Sequence, residues 1–107
     1  MRRADRPSAV FCASDEMAFG VLYAAREAGV RVPEELSVIG VDDHEMAHYV
    51  GLTTVRQPVL QQGRVAARQI LQRLEGDDRE YGHVNEHVEL PTELVLRSST
   101  APPCPSA

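Results

Sequence analysis

The chain alternates between short, unbroken apolar runs and longer segments with helical periodicity. The first run, Ser8 to Ala13 (SAVFCA), is partly β-branched and is followed at once by Ser14 and Asp15, both favourable helix N-caps. It predicts a strand buried on both faces that feeds a helix. From Glu16 onward Met17, Val21, Ala24, Ala25 and Ala28 recur at helical spacing, Glu16 suits the first turn, and Gly29 is placed to end the helix. Pro33 closes the connection, and Leu36 to Val41 (LSVIGV) is a second continuous apolar run. Strand, helix and strand in this order predict a parallel βαβ unit with a right-handed crossover.

After Asp42 and Asp43 a polar segment reaches Tyr49, and Leu52 to Pro58 (LTTVRQP) reads as a short strand stopped by its proline. A second helix follows, with Leu60, Gly63, Ala67, Ile70, Leu71 and Leu74 on one face and Gly76 at its end. Gly76 to His83 is a polar, solvated loop. His87 to Arg97 alternates like an edge or connecting strand interrupted by Pro91, and the residues from Ser99 read as a disordered tail. The expected class is α/β, one partial domain over residues 1–100 with 101–107 as the loose end.

Composition narrows the partners. A chain of 107 residues has room for one domain-sized unit, and its net charge of −5 leaves no basic surface to neutralise phosphates. Nucleic acid and anionic membranes are therefore disfavoured as direct partners of this polypeptide. No apolar run approaches the roughly 20 residues of a membrane span, which points to a cytoplasmic protein. Cys12 and Cys104 lie in unrelated contexts and read as free thiols.

In open α/β sheets ligands bind beyond the carboxyl ends of the strands. Ser14 and Asp15 follow the first strand and Asp42 and Asp43 the second, so the βαβ topology gathers them on one edge. That cluster of acceptors suits a neutral polyol or a base, a sugar or nucleobase, better than an anion. Gln57, at the end of the third run, either presents its amide to the same cleft or lies on the surface. Simpler roles compete: Ser14 or Asp15 caps the helix, with capping preference favouring the cap for Asp15, and the Asp pair tops a strand in solvent.

A second motif requires an answer. His44-Glu45-Met46-Ala47-His48 is a literal H-E-x-x-H, the zinc-peptidase pattern. Gly51 stands where the longer metzincin version has glycine, but Thr54 occupies the third ligand's position, and neither His83 nor His87 restores the spacing. A polar turn is the favoured reading, which leaves His44 and His48 as weak metal candidates and no required cofactor. With no G-x-S-x-G, Walker A loop or Gly-rich dinucleotide fingerprint, the chain does not read as an enzyme.

Taken together, the segments AVFCASDEMAFGVLYAAREAGVRVPEELSVIGVDD, LTTVRQPVLQQGRVAARQIL and ELPTELVLRSSTAPP resemble the C-terminal part of the LacI/GalR family of bacterial transcriptional regulators. The resemblance runs from about Arg6 to Pro103. It implies a half-lobe of a periplasmic-binding-protein-like effector domain that binds a sugar or nucleoside and forms a homodimer, with operator DNA reached only through an N-terminal helix-turn-helix head outside these residues. It places Ser14, Asp42, Gln57 and Val59 in the effector cleft and Phe19 on the helix of the dimer interface, although Phe19 also suits the core. The loop between Asp43 and Thr53 departs from the family pattern, and the H-E-x-x-H lies inside it. The resemblance further implies that the helix from Val59 to Glu75 packs on the other lobe, so its apolar face is expected to be exposed here and to drive self-association. Two alternatives stand beside this reading: a sugar-binding protein of a transporter with the same fold, and a small zinc peptidase acting through His44, Glu45 and His48.

Overall fold

A computed structural model describes residues 5–76, 87–103 and 105; most of the polar loop, with His83, and Cys104 in the expected tail lie outside the described residues. One sheet has the order β1 (Ala9–Phe11), β2 (Ser37–Val41), β3 (Thr53–Arg56), β4 (Glu93–Val95). The first three strands are parallel, with Phe11 opposite Ile39 and Ile39 opposite Thr53, and β4 runs antiparallel to β3. Helix α1 (Asp15–Glu27) joins β1 to β2, the single turn α2 (Ala47–Val50) precedes β3, and α3 (Val59–Glu75) follows it. This is the α/β arrangement that the apolar runs predict. The chain divides into two compact units, residues 1–57 with 93–107, and residues 58–92.

The core belongs to the first unit, where Leu36, Val38 and Leu52 are fully buried with Ala18, Ala25 and Ala47. Helix α1 turns inward a stripe that keeps Ala25 and the half-buried Val21 of the predicted face but is shifted toward Asp15 and Ala18. Asp15, Ala18 and Ala25 are buried, whereas Met17 is 61% exposed. Small alanines let the helix lie close on the sheet, and the buried Asp15 fixes its rotation. Gly29, at φ +71°, ends the helix as expected, since only residues tolerant of the left-handed region fit there.

Three further expectations are corrected. Strand β1 is not buried on both faces: it has β2 as its single neighbour in the described sheet, and Phe11 is 67% exposed. The cap of α1 is Ser14, whose Oγ accepts from Met17 N (3.2 Å), so Asp15 is not the N-cap. The first residues of the expected tail belong to the packed unit. Ser99 Oγ donates to Val38 O (2.6 Å) and accepts from Thr53 N (2.8 Å), while Ala101 exchanges two bonds with Ser37 Oγ (3.0 Å each). Together with Val38 N, which donates to Ser99 O (2.9 Å), these bonds hold residues that composition alone marks as loose.

In the second unit, α3 has no buried residue, and Leu60 and Leu74 are 70% and 77% exposed. Ile70 and Leu71 are exposed as well.

One contact fixes how β1, β2 and β3 meet at their carboxyl ends. Asp15 is fully buried; its Oδ1 accepts from Thr54 Oγ1 (2.6 Å) and its Oδ2 from His44 N (2.7 Å). The carboxylate rests where a side chain on Gly40 would stand, for a Cβ there would collide with Asp15 Oδ1 and lie 3.1 Å from Asp15 Cα. Glycine inside β2 is thus a requirement of close approach. Gly40→Ala is expected to lower unfolding free energy by about 1–3 kcal/mol, an overpacking cost that a urea melt reads as a lower midpoint at unchanged slope. A midpoint equal to wild type would mean that Asp15 does not sit against Gly40.

Candidate functional site

The parallel strands deliver Ser14, Asp42 and Gln57 to the same end of the sheet, each within three residues of its strand's last member. Of these, Asp42 and Gln57 touch: Gln57 Nε2 donates to Asp42 Oδ1 (2.9 Å). Ser14 is half-buried with Oγ engaged as the cap acceptor, which leaves its hydroxyl hydrogen for donation. Val59 belongs to the second unit as the first residue of α3, and it is 65% exposed.

Asp42 is exposed and its backbone leaves the sheet abruptly. Its N–H still donates to Val55 O (2.8 Å), but φ is +124° at Asp42 and +55° at Asp43. Two successive non-glycine residues in this region hold a conformation that aspartate tolerates better than most side chains but that costs free energy unless neighbours enforce it. Here they do. Asp43 N donates to Thr54 Oγ1 (3.2 Å), and the Asp43 carboxylate takes Arg56 Nε on Oδ2 (2.8 Å) and Arg97 Nη2 on Oδ1 (2.9 Å).

The two aspartates therefore have separate tasks. Asp43 anchors: Arg97 also donates to Leu52 O (2.9 Å), and Arg56 extends to Glu93 on β4 (3.2 Å), so one carboxylate ties the exit of β2 to β3 and to the C-terminal segment. Burial alone raises the pKa of Asp43, but the hydrogen bonds and charges of Arg56 and Arg97 outweigh it and hold the carboxyl below the ordinary aspartate range. Asp42, by contrast, faces solvent with acceptor capacity left over from its bond to Gln57, a group able to accept from hydroxyls.

The H-E-x-x-H motif is not assembled as in a zincin. His44 precedes α2, which begins only at Ala47, so the two imidazoles do not share a helix face. His44 Nδ1 accepts from Met46 N (3.0 Å) and its ring packs edge-on against Phe19 at 5.5 Å, while His48 is exposed beside Tyr49. Among the described residues no group of three or more His, Cys, Asp or Glu could hold a metal ion. Phe19 is half-buried against the core and borders a shallow apolar concavity of about 400 Å³ with Leu22, Tyr23, Arg26, Met46 and Val50.

The edge position of Asp15 is legible in the sequence, whereas its burial (0% exposed) is not read from the local pattern. The signal was Gly40, a glycine interrupting an apolar strand, which marks close approach of another group. Arg97 and Thr54 were missed because their partners lie 54 and 39 residues away along the chain.

Residues 1–100 match the family described as periplasmic binding protein-like domain. The ribose operon repressor of Haemophilus influenzae is 39% identical over 101 residues, which cover 92% of this chain and 29% of the repressor. A LacI family transcriptional regulator from Enterococcus faecalis, solved with bound ribose, superposes with a TM-score of 0.77 at 37% identity, over 92% of this chain and 36% of that one. The lac repressor dimer bound to operator and an anti-inducer superposes with a TM-score of 0.73 at 34% identity, over 88% of this chain and 32% of that one. The chain thus spans under a third of the length of the curated relatives it matches.

The Asp43 network carries a pH dependence. A carboxyl held below its unfolded value contributes stability that is present above the unfolded pKa and is lost as pH falls through the folded one. Urea midpoints are expected to fall from about pH 4 downward, and Asp43→Asn should lower the midpoint at pH 7 while flattening that fall. An equally steep acid limb in the variant would assign the pH dependence to other carboxyls.

Proposed function

Because the chain belongs to the periplasmic binding protein-like domain family, in the form carried by LacI-type regulators, we propose that it is the C-terminal effector-binding and dimerisation portion of a LacI/GalR-type transcriptional regulator. Its effector is a sugar or nucleoside. The observation that carries this reading is the outward-facing Asp42 with Gln57 hydrogen-bonded beside it, at the strand ends where such folds take ligands. Asp42 accepts from effector hydroxyls, Gln57 orients it, and Ser14 donates its hydroxyl. This is binding without a catalytic step. Regulation then follows from different effector affinities in two arrangements of the complete protein, read out on operator DNA by a helix-turn-helix head outside these residues.

The proposal places the protein in the cytoplasm and makes it a homodimer. Among the described residues no helix is long and apolar enough to cross a membrane. The concavity beside Phe19 supports self-association, for Tyr23 at 67% and Met46 at 46% exposure present apolar surface next to it. A transporter's sugar-binding protein is the weaker reading, since the relatives named above are transcriptional regulators.

In the full-length polypeptide, Asp42→Ala is expected to abolish the response of operator binding to effector while operator affinity without effector stays within about twofold, measured by gel shift. Unchanged induction would remove Asp42 from the site. Light scattering on the 107-residue chain is expected to give a mass above that of a monomer, and Tyr23→Glu should weaken the association by about tenfold or more. A monodisperse wild-type monomer would contradict the homodimer.

A further inference from the structure

The Asp15 carboxylate is fully buried and both its oxygens are engaged, yet the helix it begins is already capped by Ser14. Capping therefore does not explain the burial. Its two bonds run instead to the backbone and neighbours of the segment that carries Asp42. His44 N is held directly by Oδ2 (2.7 Å), and Thr54 Oγ1, which donates to Oδ1 (2.6 Å), accepts in turn from Asp43 N (3.2 Å). With Asp42 N bonded to Val55 O (2.8 Å), three successive N–H groups at the exit of β2 are fixed, two of them through Asp15.

We propose that Asp15 is a positioning residue for effector binding, a buried clamp that holds Asp42 and Asp43 in their left-handed conformations and so sets the direction of the Asp42 carboxylate. The clamp rests on the effector-site reading for its purpose but not for its existence. Full burial keeps Asp15 out of a ligand's reach, which separates its role from those of Ser14, Asp42 and Gln57. The geometry also accounts for three residue choices at once: glycine at position 40 clears the space, threonine at 54 has the hydroxyl that can donate to a carboxylate and accept from an amide, and a short acid at 15 reaches both partners from the first position of α1. Release of the clamp leaves the Asp42–Asp43 backbone free to leave the left-handed region that both residues otherwise avoid.

The test needs no ligand. In the 107-residue chain, three-bond HN–Hα couplings at Asp42 and Asp43, hydrogen exchange at Asp43 and His44, and the Gln57 side-chain amide shifts are recorded for wild type, Asp15→Asn, Thr54→Val and Val38→Ala. Val38 is fully buried in β2 and serves as the control for general loss of stability. Asp15→Asn is expected to shift both couplings, to move the Gln57 amide, and to speed His44 exchange by about tenfold relative to the β2–β3 ladder. Thr54→Val should act mainly on Asp43, and it carries the test by itself where Asp15→Asn does not fold. Val38→Ala should lower protection throughout and leave the couplings unchanged. Unchanged couplings in folded Asp15→Asn or Thr54→Val, or equal changes in Val38→Ala, would overturn the clamp. Absence of any effector response would count against the effector-site reading and leave these couplings as they are.

Discussion

Burying a carboxylate costs several kcal/mol unless hydrogen bonds replace the water it gives up, and Asp15 meets that condition with a hydroxyl and a backbone amide from two other segments. The site at the carboxyl edge depends on this. Because one oxygen reaches β3 and the other the loop after β2, the start of α1 cannot rotate or lift without leaving a buried charge unpaired. The rotation of α1 follows, with Ala18 and Ala25 inward and Met17 outward, and so does the glycine at position 40.

Around that anchor the acidic pair divides its work by exposure. Asp43 is turned into the protein, where two arginines hold it ionised and link β2, β3, β4 and the segment after β4. Asp42 is turned to solvent. The proposed effector site needs both kinds of group, since an acceptor aimed at a ligand is useful only when its backbone does not wander. Ser99 and Thr100 serve the opposite end of the same strands in a similar way, filling positions beside Val38 and Thr53 with hydroxyls.

Much of this was legible in the sequence, and the division has a physical cause. Continuous apolar runs, the polar residues after them and the glycine stops are local signals, and they gave the βαβ order, the end of α1 at Gly29 and the placement of Ser14 and Asp42 at one edge, while leaving Gln57 open between cleft and surface. What was not legible depends on partners far along the chain. The exposure of β1 reflects which strands flank it, the inward stripe of α1 reflects Asp15, and the order of Ser99 to Ala101 reflects strand groups that need them. The H-E-x-x-H shows the converse, a local pattern whose helix begins too late to bring its histidines together.

The central claim is that the strand-end acceptors bind a hydroxyl-bearing effector. The most direct measurement is a crystal structure of the endogenous polypeptide that contains this sequence, grown with the small molecule that alters its operator binding. The account predicts that molecule against the carboxyl edge, with hydroxyl or ring N–H groups within hydrogen-bond distance of Asp42 and Asp15 buried beneath without touching it. An effector bound elsewhere, with Asp42 facing solvent, would contradict it.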